Sequence, residues 1–128
     1  MEVRMLKAKI HRARVTGSDL NYEGSIEIDE SLMDAVGILP FEQVDIWSLT
    51  SGERLTTYAI PAKRGSGRVA VNGAAARKVQ VADEIIISAF ATMSEAKARA
   101  WQPRIVYVDE KNRVRPLPKS SRNLAVVP

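Results

Sequence analysis

Val44-Asp45-Ile46-Trp47-Ser48-Leu49, then Thr50-Ser51-Gly52-Glu53, then Arg54-Leu55-Thr56-Thr57-Tyr58-Ala59-Ile60: two runs rich in β-branched and aromatic residues flank four residues of turn chemistry. This is the pattern of a β-hairpin and the clearest element in the chain. Downstream, a polar loop from Pro61 to Gly67 leads to a strand over Arg68 to Asn72, four small residues (Gly73-Ala74-Ala75-Ala76), and another strand over Glu84 to Ala91. Ser94 to Ala100 reads as a short helix and Arg104 to Val108 as a further strand, before a basic tail that contains proline. Upstream, Leu6, Ala8 and Ile10 alternate with Lys7, Lys9 and His11. Ala13 and Val15 then alternate with Arg12 and Arg14 in the opposite phase, which predicts one strand with a bulge near residues 11 to 12. Thr16-Gly17-Ser18-Asp19 is turn chemistry, followed by loop through Gly24-Ser25. Ile26 and Ile28 make a short strand, and Asp29 caps a helix that runs through Val36 and stops at Gly37. Six or seven short strands with two small helices predict a mainly β fold, a compact β-barrel formed by residues 1–128 as a single domain.

The chain has 128 residues, and 45% of them are apolar, enough for one core but not for a deep enclosed cleft. An active site in so small a barrel is expected to draw on a neighbouring subunit. With no cysteine and one histidine, thiolate chemistry, disulfides and multi-histidine metal centres are excluded. The apolar run Ile85-Ile86-Ile87 is far short of the about 20 residues a spanning helix needs. Charged residues interrupt the N-terminus, so no signal peptide fits, and cytoplasm with no membrane association is the expected location. The formal charge of +4 is concentrated at the ends of an acidic body. That pattern fits solvated surface or subunit contact better than a nucleic-acid groove, and few aromatic residues are available to stack on bases. A basic β-barrel module for nucleic acid is nevertheless the alternative reading of the charge.

The residues themselves offer limited chemistry. No nucleophile elbow supports a hydrolase triad, and Arg64-Gly65-Ser66-Gly67 lacks the lysine and helix of a phosphate loop. The small residues Gly73 to Ala76 suit either a backbone cradle for a ligand or tight packing against a strand. On a period of two, Arg54 and Tyr58 share one face of their strand and Thr57 takes the other. An arginine with a tyrosine four positions on suits a carboxylate beside a proton donor, or simply a surface stack. Lys9 and His11 likewise share a face, as solvated surface or as a site wall. Three Gly-Ser bonds occur, Gly17-Ser18, Gly24-Ser25 and Gly65-Ser66. A hydroxyl held against its preceding carbonyl can cleave the chain by an N-to-O acyl shift, and local sequence does not choose among the three.

Lys9-Ile10-His11-Arg12, Leu20-Asn21-Tyr22-Glu23-Gly24-Ser25, Asp45-Ile46-Trp47, Arg54 through Thr57-Tyr58-Ala59-Ile60, Arg64-Gly65-Ser66 and Val71-Asn72-Gly73-Ala74-Ala75-Ala76 recur in order. Together, from about Met5 to about Tyr107, they closely resemble the bacterial L-aspartate alpha-decarboxylase family. The resemblance implies a double-psi β-barrel, a homotetramer with active sites at subunit boundaries, and a proenzyme that cleaves itself between Gly24 and Ser25. Residues 1–24 would become the β chain and residues 25–128 the α chain. It implies that Ser25 becomes a pyruvoyl group, with neither metal nor pyridoxal phosphate. That group would form a Schiff base with L-aspartate and act as electron sink for decarboxylation to β-alanine in pantothenate biosynthesis. By position, Tyr58 is implied as proton donor, and Arg54 with Lys9 as partners of a substrate carboxylate. Thr57 and the backbone of Gly73, Ala74 and Ala75 are implied in substrate binding. Gly24, Ser25, Thr57, Tyr22 and His11 are implied in self-cleavage, with Trp47 and Asn72 nearby. Arg77 stands where the family often has histidine, and some relatives require a maturation partner. A pyruvoyl decarboxylase for another amino acid is the enzymatic alternative.

Overall fold

The computed structural model describes residues 1–116. Its strands are β1 (Glu2–Arg14), β2 (Gly17–Asp19), β3 (Ser25–Asp29), β4 (Gln43–Ser48), β5 (Arg54–Ala62), β6 (Val69–Asn72), β7 (Glu84–Ser94), β8 (Arg104–Val108) and β9 (Val114–Arg115). Two α-helices, α1 (Glu30–Val36) and α2 (Glu95–Arg99), and a 3-10 helix over Gly73–Arg77 complete it. The strands hydrogen-bond in the order β2-β6-β3-β5-β4-β7-β1-β8-β9. Three pairings are parallel, β1 with β8, β2 with β6 and β3 with β5, among antiparallel neighbours.

Alternation decides what lies inside. Ile10, Ile46 and Ile87 stand opposite one another on β1, β4 and β7 and are fully buried. Ile26, Ile28, Val69 and Val71 line the same core from β3 and β6. The sheet curls because its far strands are tied across. Asn112, in the turn before β9, donates from Nδ2 to the carbonyls of Arg14 (2.8 Å) and Gly67 (2.9 Å), and its Oδ1 accepts from the Arg14 N–H. Each buried polar bond of this kind replaces one to water, so together they fix the curl without exposing core.

The expected mainly β fold with short helices is what forms. The hairpin is β4 and β5, with Asp45 opposite Thr56 and Trp47 opposite Arg54. The bulge in β1 falls between Ile10 and Ala13, with Arg12 at φ +68, and a second irregularity lies between Leu6 and Ala8. Asp29 caps α1 by accepting from the Ser31 N–H, and Gly37 ends it at φ +77. Three expectations are corrected. Nine strands form among the described residues, not six or seven. Gly17–Asp19, expected as turn, is β2, because parallel pairing to β6 supplies hydrogen bonds that override turn propensity. The expected tail contributes β9, paired to β8. The tail beyond residue 116 lies outside the described residues.

Candidate active site

Of the three Gly-Ser bonds, one is built unlike the others. Ser18 and Ser66 are exposed, whereas Ser25 is fully buried at the start of β3. The Ser25 hydroxyl donates to the Glu23 carbonyl at 3.3 Å, folding Oγ back over the intervening Gly24. Asn72, opposite Ser25 on β6, donates from Nδ2 to Ser25 Oγ (3.4 Å) and to Glu27 Oε2 (2.9 Å). Hydrogen bonds from Arg68 hold the Glu27 carboxyl below its ordinary range against the cost of burial, and Asn72 adds to the effect. A charged Glu27 therefore keeps the Asn72 amide turned toward the hydroxyl. Glu27 is the site residue that sequence reading missed. Its signal was its place two residues from Ser25, on the same face of β3.

Gly73 supplies the other wall. It sits at φ +68, and a Cβ built there would lie 2.6 Å from Gly24 Cα, 2.7 Å from Gly24 N and 3.1 Å from the Tyr22 carbonyl. Only a residue without a side chain lets the start of the 3-10 helix lie so close to the Gly24 backbone. At Gly73 the small-residue run packs tightly against the chain's own backbone. Ala74 is exposed, and Ala75 packs partly on the core.

Register places Tyr58 in this group. Ile26 stands opposite Ala59 on parallel strands, so one step back along both sets Ser25 beside Tyr58 on the outward face. The row runs Asn72, Ser25, Tyr58, Gln43 across four strands. Pairing of β4 and β5 is unbroken from residue 54 to residue 58, so Thr57, opposite the buried Val44, takes the inward face as alternation requires.

A second group forms elsewhere. Lys9 stands opposite Ser88, Ser88 opposite Asp45, and Asp45 opposite Thr56, while Trp47 stands opposite Arg54. Lys9, Trp47 and Arg54 therefore share one outer face of β1, β7, β4 and β5. The Arg54 guanidinium lies 5.1 Å from the Trp47 ring centroid. His11 follows Lys9 on that side, its ring 4.6 Å from Tyr107. Burial first, then Lys9, Arg12 and Arg115, push His11 down to about 4, with Glu84 opposing. Within one chain β1, which carries Lys9 and His11, lies four strands along the sheet from β3. Arg54 lies four residues up β5 from Tyr58, about 13 Å at strand spacing. Tyr22 remains exposed, contributing its carbonyl to the Gly24 wall.

Chemically, the first group suits a serine turned on its own preceding carbonyl, and the ketone such a serine can become. The Gly73 cradle, which a Cβ would fill, leaves the backbone room for that change, and Tyr58 stands ready in the same row. The basic face of β1 does not suit nucleic acid. Lys7 pairs with Glu42, and Arg12 and Arg14 share Glu84, so two carboxylates offset part of the charge of those three cations. Among the described residues no group of His, Asp or Glu could hold a metal ion, and no helix is long and apolar enough to cross a membrane.

A family model described as aspartate decarboxylase matches residues 1–115. A relative from Stenotrophomonas maltophilia (strain K279a) named aspartate 1-decarboxylase is 59% identical over 114 residues, covering 89% of this chain and 90% of its own. Relatives of the same name from Xanthomonas campestris pv. campestris and Carboxydothermus hydrogenoformans are 58% and 54% identical over the same shares. Among solved structures, the rationally designed mkDPBB_sym_86 protein aligns with a TM-score of 0.46 and 17% identity, over 64% of this chain and 90% of its own. With residues 1–115 matched and more than half of the aligned positions identical to these relatives, the chain belongs to the aspartate decarboxylase family.

Proposed function

We propose that this chain is a self-processing proenzyme that decarboxylates L-aspartate to β-alanine and CO2, supplying pantothenate and coenzyme A synthesis. The observation that carries the reading is the contact of Gly73, at φ +68, with Gly24, beside a Ser25 that is wholly buried. Ser25 Oγ attacks the Gly24 carbonyl carbon. The C–N bond breaks as the ester C–O bond forms, and the hydroxyl proton passes to the freed amine. Elimination of the ester releases residues 1–24 ending in a carboxylate. Addition of water to residue 25 with loss of ammonia leaves a ketone at the head of residues 25–128. Asn72 holds Oγ in place.

The resulting pyruvoyl group supplies an electron sink for loss of a carboxylate next to a bound amine. The chain's own residues do the rest. Tyr58, in the row of Ser25, donates the proton that replaces the lost carboxylate. The backbone at Gly73, Ala74 and Ala75 seats the substrate. Arg54 and Lys9 engage the carboxylate that is retained, a pairing suited to a dicarboxylic amino acid. Lys9 lies four strands along the sheet from Ser25, and Arg54 about 13 Å along β5 from Tyr58, so we place each complete site between two copies of the chain, in a homotetramer. Tyr22 and His11 flank the cleavage region in the same assembly.

Intact mass under denaturing conditions, taken after incubating purified protein, tests the reading. Two fragments dividing after Gly24 are expected, the larger lighter by one ammonia than a chain beginning with serine, together with β-alanine formed from aspartate. Ser25→Ala should give one uncleaved, inactive species. Product from that variant would remove Ser25 from its role. A wild-type chain that stays whole even with a maturation partner would overturn the proenzyme reading.

A further inference from the structure

Four non-glycine residues among those described adopt positive φ, and one of them is a large aromatic: Phe41, at φ +69, in the loop between α1 and β4. A bulky L residue enters this region only against steric strain, and the ring gains little from folding, since the residue is 74% exposed. An exposed apolar side chain on a strained backbone contributes neither burial nor local propensity. Something else accounts for its placement.

The loop is bolted to the residue that follows Tyr58. The Phe41 N–H donates to the Ala59 carbonyl at 2.7 Å, and the Ala59 N–H donates to the Glu42 carbonyl at 3.0 Å. The Glu42 carboxylate accepts from the Leu39 N–H at 2.9 Å and pairs with Lys7 at 2.8 Å, closing the loop from the other side. Left-handed backbone at residue 41 then turns the side chain toward the phenol. The Phe41 and Tyr58 ring centroids lie 6.3 Å apart with the planes inclined by 33°, within the range of aromatic pairing. Tyr58 is only half-buried, and one of its sides meets this ring.

We propose that Phe41 is a positioning residue for Tyr58. Its ring walls one side of the phenol, restricts the side chain to the rotamer that faces the Ser25 row, and keeps water from that side of the hydroxyl. The strain at residue 41 is stability given up to hold that orientation. The inference rests on Tyr58 as proton donor in the proposed function.

The test separates the two. Phe41→Asn places at φ +69 a residue that tolerates it and removes the ring. Such a variant should melt at a higher temperature, process normally and keep its oligomeric mass. Its kcat should fall roughly tenfold with KM held within about twofold. Phe41→Tyr, which keeps the ring, should restore kcat. The chain has only three tyrosines, so fluorine NMR of protein made with 3-fluorotyrosine resolves Tyr58. Its resonance should move toward the solvent-exposed position in Phe41→Asn and return in Phe41→Tyr, where the one additional signal belongs to residue 41. An unmoved resonance, an unchanged kcat, a loss that Phe41→Tyr does not repair, or a change in oligomeric mass would each overturn the proposal. If the wild type forms no β-alanine, the proposed function fails, while the Tyr58 resonance still decides whether Phe41 positions the phenol.

Discussion

Gly73 shows how much of the chemistry hangs on a missing side chain. Alanine there would carry about 1–2 kcal/mol of left-handed strain and force its Cβ against Gly24. The backbone of Gly24 would have to move, and with it the carbonyl that Ser25 attacks. Gly73→Ala is expected to fold but to cleave at least about tenfold more slowly, since sub-ångström misplacement of reacting atoms is costly. Mass spectrometry over time reads the rate, and circular dichroism confirms the fold. His11 makes a separate expectation at this scale. Folding holds it neutral, burial first and its cationic neighbours next, lowering it from 6.5 to about 4. Between those values the unfolded chain binds a proton that the folded chain refuses, so this contribution is complete above pH 6.5 and is lost as pH falls toward about 4. Urea denaturation at about pH 7 and about pH 5 should show a drop that is smaller in His11→Gln. The lowered carboxyls of Glu27, Asp29 and Asp109 lose their contributions as pH falls further, through their own folded values. An equal drop in both proteins would remove His11 as the cause. Little of this was legible in the sequence. Three Gly-Ser bonds look alike in composition, and only the fold sets Gly24-Ser25 apart, by burying Ser25 and bringing Asn72 back from 47 positions downstream with Gly73 beside it; short of that, the family resemblance was what singled it out. No signal in the residue type marks Phe41 as left-handed.

Elements were easier to read where local and tertiary preferences agree. The hairpin of β4 and β5 was legible because strict alternation and a glycine turn both demand it. Helix α1 was legible because Asp29 caps it and Gly37 ends it. What the sequence hid is that Asp29 serves two elements. Its Oδ1 accepts from the Ser31 N–H at 2.9 Å and the Gly65 N–H at 3.0 Å, and its Oδ2 from the Gly67 N–H at 2.8 Å. It therefore pins the loop before β6 to the start of α1. Burial opposes its charge, but those hydrogen bonds with the Ser31 hydroxyl keep its carboxyl below the ordinary value. Asp29→Ala removes a cap and strands a buried N–H at Gly67, a loss of about 2–4 kcal/mol when the two are combined. Urea unfolding in a Ser25→Ala background, where processing is absent, should show the lower midpoint at unchanged slope. A shift below about 0.5 kcal/mol would mean that water satisfies Gly67 as well as Asp29 does. Strand β2 was hidden for the opposite reason. Gly17, Ser18 and Asp19 are turn formers, yet a Cβ on Gly17 would touch the Ala70 Cβ at 3.2 Å, so glycine is there to let two strands close up.

At the scale of the molecule, the proposed site falls into two groups set apart along one outer surface of the sheet. Ser25, Tyr58 and Asn72 occupy one row, and Lys9, Trp47 and Arg54 lie on the face spanning β1, β7, β4 and β5. A barrel of this size buries its core by alternation, so outward-facing rows on distant strands cannot meet through the interior, which Ile10, Ile46 and Ile87 fill. They can meet across a boundary between copies, because a symmetric assembly presents the row of one chain to the outer face of the next. Genetic complementation decides it. Ser25→Ala lacks the nucleophile but keeps Arg54, and Arg54→Ala keeps the nucleophile but lacks the carboxylate partner. Each alone should be nearly inactive. Produced together, they should form mixed oligomers in which about a quarter of sites pair an intact Ser25 with an intact Arg54. Activity near that fraction, absent when the two are purified separately and mixed after assembly, would place Arg54 across the boundary from Ser25. If the site were contained within one chain, every site in the mixture would lack one residue or the other, and co-production would restore nothing.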